Sequence, residues 1–253
     1  MKIREFIHRY GAYVLEKVLN KDKMWLYLND DLKVPKEAIN VLQKVKNGYP
    51  IEYLFEEVFF YSDKFYIKEG VLIPRDDTEI VIERAINLIK QYKNPIVVDC
   101  CTGSGVIAIE IVKHTKTKVI ATDISDLALE VAKKNTLLHN VDIELKKCNL
   151  FDMKADILVA NPPYVENSHK KPNIYEPNLA FYGGDDGLDV IKNIILKAKE
   201  LNYKAMILEI GYNQKELLSK FLKKEKFEFF NDLTENVRGV EIFFDKKIEE
   251  QIT

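Results

Sequence analysis

Arginine is scarce in this sequence: only Arg4, Arg9, Arg75, Arg84 and Arg238 stand among 38 basic residues. Arginine is the better residue for bidentate phosphate recognition. With a net charge of −2 and a pI of 6.2, nothing favours strong binding to a phosphate backbone, so nucleic acid is not the expected main substrate. Cysteine is also sparse. Cys100, Cys101 and Cys148 give an odd count with two neighbours in one apolar run, which excludes a disulfide framework and leads us to expect buried structural thiols. The four histidines are far apart, so no zinc-ligand spacing arises and no metal is expected. Long hydrophobic runs are missing: stretches such as Ile96-Val97-Val98 and Ile157-Leu158-Val159-Ala160 are strand-sized, far below the roughly 20 residues of a membrane helix. Met1 to Phe6 does not lead into the apolar core of a signal peptide. A cytosolic protein, monomeric by default, is the expectation.

What is present is the composition of a globular chain, 47% hydrophobic and 31% charged, without repeats or low-complexity segments. At 253 residues one large α/β domain and a small accessory one can be accommodated. Ile3, Phe6, Ile7, Tyr10, Val14, Leu15 and Val18 recur at helical spacing, and a second helical stretch follows Pro35 through Val45. A small helical domain over 1–47 is expected. Val58 to Tyr61 and Phe65 to Ile67, separated by Ser62-Asp63-Lys64, suit a β-hairpin within a linker over 48–75. From residue 76 to 253 helices alternate with short apolar strands. The spacing predicts helices from Thr78, Val106, Asp126 (capped by Ser125), Leu188 and Asn213, and strands at 96–100, 118–122, near Ile143, at 156–160, at 205–209, and near Phe227 and Val240. Such alternation implies a doubly wound, mostly parallel sheet, whose ligands bind at the carboxyl ends of its strands.

The strand at 96–100 runs into Thr102-Gly103-Ser104-Gly105, and a helix opens at once. Glycine lets a backbone approach a ligand closely, and a helix N-terminus favours negative groups. Twenty residues beyond Gly103, Asp123 ends the next strand, where a carboxylate can accept from both hydroxyls of a ribose. The strand before, the helix after and the acid at that distance point to a nucleotide; a tight turn and a helix cap are the plain alternative.

Further on, Asn161-Pro162-Pro163-Tyr164 ends the strand at 156–160. An amide or exocyclic amine nitrogen is a poor nucleophile, because its lone pair is delocalised, and it needs orientation more than a base. The side-chain oxygen of Asn161 and the backbone oxygen of Pro162 can each accept one N–H of a planar –NH2, two prolines stiffen the acceptors, and Tyr164 can pack on the planar group. Base and amide substrates are equally compatible with this chemistry. A strand merely terminated by turn residues is the other reading.

Together with Asp99, the glycine loop resembles the Asp/Glu-x-Gly-x-Gly-x-Gly motif of Rossmann-like S-adenosylmethionine methyltransferases, with Cys101 where the first glycine usually stands. Further stretches carry a narrower resemblance: 48–54 (Gly-Tyr-Pro-Ile-Glu-Tyr-Leu), 72–79 (Leu-Ile-Pro-Arg-Asp-Asp-Thr-Glu), Glu176-Pro177, 183–189, and Leu208-Glu209-Ile210-Gly211 with Gln214. With them the chain resembles the HemK/PrmC family of protein-(glutamine-N5) methyltransferases, which act on the Gly-Gly-Gln glutamine of class I peptide chain release factors. The resemblance implies a Rossmann-like methyltransferase sheet with its last strand antiparallel, and S-adenosylmethionine as cofactor, released as S-adenosylhomocysteine. It implies cofactor contacts from Asp99, Cys101, Thr102, Gly103, Gly105, Asp123, Asn149, Leu150 and Asn161, with Phe151 beside the adenine ring. Catalytic roles fall to Asn161, Pro162 and Tyr164, and substrate contacts to these together with Pro163, Pro74 and Arg75. Asp77 or Thr78 would cap the helix that follows. By the same resemblance the helical domain docks the release factor, although only 47 residues precede Gly48, so at least one helix is expected to be shortened or lost. Glutamine methylation of a ribosomal protein, as in close relatives, and adenine-N6 methylation of DNA or RNA, which shares the Asn-Pro-Pro-Tyr sequence, are the alternative reactions.

Overall fold

A computed structural model describes residues 1–244, in two compact units that divide after Glu56. The first unit holds five helices: α1 (Ile3–Tyr10), α2 (Tyr13–Leu19), α3 (Lys23–Leu28), α4 (Lys36–Lys46) and α5 (Ile51–Phe55). The apolar periodicity from Ile3 to Val18 is interrupted because Gly11 takes φ +78°, which closes α1 and lets α2 restart at a new angle. Asp22 caps α3 by accepting from the Trp25 N–H at 2.8 Å. Ile3, Phe6, Val14, Leu15, Leu26 and Ala38 form the core of this unit, with Ile51 of α5 against it. The helix α5 thus falls in a stretch that the sequence assigns to the linker.

The second unit begins with the hairpin β1 (Glu57–Phe60) and β2 (Asp63–Tyr66). It continues with α6 (Thr78–Ile89), β3 (Ile96–Cys100), α7 (Val106–Thr115), β4 (Lys118–Asp123), α8 (Asp126–Leu138), β5 (Glu144–Lys147), β6 (Ile157–Ala160), α9 (Asp189–Glu200), β7 (Ala205–Glu209), α10 (Lys215–Phe221), β8 (Lys226–Asn231) and β9 (Val237–Phe243). The strands form one seven-stranded sheet in the order β5-β4-β3-β6-β7-β9-β8, parallel except for β9, which is antiparallel to both its neighbours. The sequence expectation of a mostly parallel Rossmann-like sheet with an antiparallel last strand is met. Central strands β6 and β7 are buried on both faces, hence their apolar runs, broken only by Glu209 at the end of β7, whereas the edge strand β8 is mostly accessible and alternates.

One face of the sheet, carrying Val98, Cys100, Leu158, Ala160, Met206, Leu208, Val240 and Ile242, is covered by Leu188, Ile191, Ile194 and Ile195 at and in α9 and by Leu218 of α10. Helices α6, α7 and α8 lie against the strands elsewhere. Side chains alternate along a strand, so Asp99 and Glu209 point away from the α9 face; Asp99 accepts from α7 and Glu209 from α6. Strand order reverses between β3 and β6, the place where such sheets bind ligands.

Candidate active site

At that reversal a cavity of about 370 Å³ opens over the carboxyl ends of β3, β4 and β6, a size suited to a small-molecule ligand. Its walls come from five places: the 70–78 segment, the loop from β3 into α7, the ends of β4 and β5 with the start of α8, the segment after β6 with its following loop, and Val190 and Asn193 of α9.

The loop from β3 is built around Asp99. This fully buried carboxylate accepts from the Thr102 hydroxyl at 2.5 Å and the Ala108 N–H at 3.2 Å, so it ties the turn to the first residues of α7. Its other oxygen has no partner among the described residues, and burial pushes its pKa up to about 7. Asp99 does not reach the cavity wall, and neither does Gly105. Gly105 has φ +86°, and a Cβ there would stand 3.1 Å from the Cβ of Ala132, so it serves the turn and the packing of α7 on α8. Cys101, Thr102 and Gly103 do line the cavity. Cys101 has φ +63°, a left-handed backbone that favours glycine.

Asp123 lines the cavity and is held by two backbone donors: its Oδ2 accepts from the Gly103 N–H and its Oδ1 from the Ser125 N–H, each at 2.9 Å. A carboxylate has about four lone-pair positions, so capacity is left for two further donors. Burial raises its pKa, opposed by those backbone hydrogen bonds. Ser125 caps α8 by accepting from Ala128, as its sequence position predicts. Asn149 and Leu150 complete this side of the cavity with Val106, Ile107 and Ile124. Phe151, expected beside them, instead lies wholly inside the α9 core, edge-on to Tyr203 at 5.3 Å between ring centres. Its side chain alternates away from the cavity, which Leu150 faces.

At the opposite side Pro74 and Arg75 line the cavity, and the Arg75 guanidinium donates to buried Glu176 at 2.6 Å. The same carboxylate accepts from the Ile73 N–H at 3.3 Å, so the loop after β6 clasps the Ile-Pro-Arg segment. Asp77 does not cap α6; it pairs with Arg238 at 3.0 Å, and Thr78 donates its hydroxyl to Glu209 at 2.7 Å. Both residues therefore have tertiary partners in place of a local cap.

Asn161 and Pro163 face the cavity, whereas Pro162 and Tyr164 are not among its walls. The Asn161 amide donates from Nδ2 to the Thr78 hydroxyl at 3.1 Å. Tyr164 donates its hydroxyl to Glu209 at 3.1 Å, and burial beside that carboxylate pushes the phenol pKa upward. The motif is braced from behind by Gln214, which donates to the Tyr164 carbonyl at 2.8 Å and accepts from the Gly211 N–H at 2.8 Å. Gly183 is required for close approach: a Cβ there would lie 2.4 Å from the Pro163 carbonyl oxygen.

Sequence reasoning left Glu209 and Thr78 without a role in the site. A carboxylate closing the otherwise apolar strand Ala-Met-Ile-Leu-Glu was the signal, because a buried acid at a carboxyl strand end needs partners. Of the three thiols only Cys100 is buried; Cys101 and Cys148 are half-buried. Among the described residues no cluster of histidine, cysteine or acidic side chains could hold a metal, and no helix is long and apolar enough to cross a membrane.

Residues 81–180 match the family model of the methyltransferase small domain. The chain is 32% identical over 252 residues to the release factor glutamine methyltransferase of Mycoplasma mycoides subsp. mycoides SC, covering 90% of this chain and 89% of that protein. The chain belongs to the release factor glutamine methyltransferase family. A further member, from Clostridium botulinum, is 35% identical over 235 residues, or 85% of this chain and 83% of its own. The solved ribosomal protein L11 methylase of Lactobacillus delbrueckii subsp. bulgaricus shares the fold, with a TM-score of 0.52 at 23% identity over 72% of this chain and 86% of that one. The resemblance drawn from the Ile-Pro-Arg and Asn-Pro-Pro-Tyr stretches is thereby borne out. This member of the glutamine methyltransferase family is an enzyme with a methyltransferase fold, its cavity at the sheet reversal.

Proposed function

We propose that the protein transfers a methyl group from S-adenosylmethionine to the side-chain amide nitrogen, N5, of the Gly-Gly-Gln glutamine in a class I peptide chain release factor. The observation that carries this reading is the 32% identity over 90% of the chain to a release factor glutamine methyltransferase, and the orientation of Asn161, whose Nδ2 is engaged by Thr78 so that Oδ1 is free to accept, supports it.

The residues of the cavity fit the cofactor. Gly103 has φ +56° and a Cβ built on it would meet nothing within 4 Å, as expected where a backbone is kept bare for a ligand. Asp123 retains acceptor capacity for a pair of vicinal hydroxyls, and Asn149 and Leu150, with Ile107 and Ile124, offer a largely apolar slot for a purine. Thr102 and Cys101, at the opening of α7, are positioned for the amino-acid end of the ligand, where helix polarity favours a carboxylate. Asp99 and Gly105 contribute by shaping this loop. When bound, S-adenosylmethionine supplies an electrophilic methyl on its sulfonium and leaves as S-adenosylhomocysteine.

The protein's task is orientation. Oδ1 of Asn161 accepts one N–H of the target amide, turning its lone pair towards the methyl. The family resemblance gives the second N–H to the carbonyl oxygen of Pro162, which lies next to the wall residues Asn161 and Pro163 but not on the wall itself, and proline fixes φ so that this stretch is stiff. Once the new C–N bond forms, the nitrogen carries an extra proton, which passes to water; no general base is needed, because that nitrogen is strongly acidic after methylation. Tyr164 excludes water from behind the motif through its bond to Glu209, and Pro163, Pro74 and Arg75 bound the glutamine's entry. Exposed Met24, Tyr27 and Leu28 of α3, with Leu32 after it, support a role of residues 1–47 in docking the release factor. A monomer acting on a translation factor in the cytosol is the form this reading takes.

The test offers the enzyme, with labelled S-adenosylmethionine, a class I release factor, ribosomal proteins and nucleic acid in parallel reactions. Label on the glutamine of the release factor is expected; label on ribosomal protein or nucleic acid alone overturns the reading.

A further inference from the structure

Asn161 and Thr78 on the cavity wall and Glu209 behind it form a chain of hydrogen bonds that fixes which end of the Asn161 amide faces the substrate. Glu209 is buried at the end of β7 and Thr78 is buried at the start of α6. The distances are 2.7 Å from the Thr78 hydroxyl oxygen to Glu209 Oε2, and 3.1 Å from Asn161 Nδ2 to the same hydroxyl oxygen. An ionised carboxylate only accepts, so the single Thr78 proton must point at Glu209. The Thr78 oxygen can then only accept, so the Asn161 group that meets it must be the –NH2. Oδ1 is left facing the cavity.

We propose, resting on the glutamine methyltransferase reading above, that Glu209 is a positioning residue which, through the Thr78 hydroxyl, holds Asn161 with its carbonyl oxygen towards the target amide. The remaining neighbours support a fixed carboxylate. Glu209 Oε1 accepts from the Tyr164 hydroxyl at 3.1 Å. Arg238 on β9 lies close enough to favour the charged form, while Asp77 at the start of α6 disfavours it; Arg238 itself is paired with Asp77 and Asp232, each at 3.0 Å. Burial outweighs these and raises the Glu209 pKa to about 7. Protonated Glu209 can donate to Thr78, which frees the hydroxyl to donate to Asn161 and admits the inverted amide. Inverted, Asn161 presents –NH2 to the –NH2 of its target, a clash of two donors. Because only the ionised carboxylate enforces the correct end, turnover is supported above the folded pKa and lost as pH falls through it.

The experiment measures kcat, KM for a class I release factor and Kd for S-adenosylmethionine across pH 5.5 to 9, for wild type, Thr78→Val, Thr78→Ser, Glu209→Ala and Glu209→Gln. Thr78→Val and Glu209→Ala are expected to lower kcat by about 10- to 100-fold with cofactor Kd unchanged, the scale of a misoriented catalytic group. Thr78→Ser keeps the hydroxyl and should restore kcat to within about threefold, whereas Glu209→Gln carries an –NH2 that can donate to Thr78 as the protonated acid does, so its kcat should stay at about the level of acidified wild type at every pH. In Glu209→Gln the fall in kcat below about pH 7 disappears. A folded Thr78→Val or Glu209→Ala protein with wild-type kcat overturns the proposal. So does a Glu209→Gln profile identical to that of wild type, since a merely structural role predicts no change there. Wild-type enzyme that methylates no glutamine in the release factor refutes the proposed function itself, a result separate from any difference among the variants.

Discussion

Replacing Asp123 is the sharpest probe of how the cofactor is held. Its carboxylate already accepts from the N–H groups of Gly103 and Ser125, both at 2.9 Å, and in the proposed complex it accepts from two ribose hydroxyls as well. Hydrogen bonds to a charged acceptor contribute about 1.5–3 kcal/mol each, and neighbouring ones are less than additive. Asp123→Ala should therefore weaken S-adenosylmethionine by about 3–4 kcal/mol, or about 100- to 1,000-fold in Kd. The backbone donors freed at Gly103 and Ser125 add to this by loosening the loop. Asp123→Asn preserves shape and one acceptor, so a loss of about tenfold is expected. Isothermal titration calorimetry with S-adenosylmethionine and S-adenosylhomocysteine measures both, with circular dichroism to confirm folding. The pH dependence has a definite sign: burial raises the Asp123 pKa, so the accepting, ionised form is lost at a higher pH than for an ordinary aspartate, and affinity should fall as pH drops through that range. A folded Asp123→Ala protein that binds the cofactor within threefold of wild type would refute the ribose assignment.

Arg75→Ala leaves the buried Glu176 carboxylate without its guanidinium, which should cost about 2 kcal/mol and lower Tm by roughly 4–8 °C; a Tm unchanged within a degree contradicts the clasp. Cys101→Gly removes a side chain from a left-handed backbone position, and a gain of about 0.5–1 kcal/mol in urea unfolding is expected, a lowered midpoint being the contrary result. The folded pKa of Glu209 lies above the ordinary 4.5, at about 7, so the native state keeps a proton that the unfolded state has released. Stability from this group is fully present below about 4.5 and is lost as pH rises through about 7, by on the order of 3 kcal/mol. Glu209→Gln removes that contribution, and thermal melts at pH 5 and 8.5 should converge relative to wild type; an unaltered pH dependence contradicts the buried-acid assignment.

The legible parts of the fold were those where burial leaves no choice. Strands β3 and β7 fall at 96–100 and 205–209 as the apolar runs predict, because a strand covered on both faces must be apolar except where a buried acid, Asp99 or Glu209, finds partners. Ser125 announced the start of α8 because an N-cap is a local interaction. Helix α3 was not legible: six residues rich in aromatic and long apolar side chains carry too short a pattern to fix a period, and tertiary packing of Leu26 decides it. In the site, Asn161, Asp123, Gly103 and Arg75 reach the cavity from positions that motif spacing could indicate. Whether Tyr164 turns towards the cavity or away depends on Glu209, 45 residues later. Asp99 has the same character: its motif position is plain, yet its partners Thr102 and Ala108 give it the task of building the loop. Phe151 shows the limit of analogy between neighbours, since one residue along the chain exchanges cavity for core.

The most direct measurement is tandem mass spectrometry of the Gly-Gly-Gln peptide from a class I release factor incubated with labelled S-adenosylmethionine and either wild-type enzyme or Asn161→Ala. One labelled methyl on the glutamine amide with wild type, and none with a variant that still binds the cofactor, is the predicted result. An unlabelled glutamine with wild type, or equal labelling by both proteins, would contradict the account.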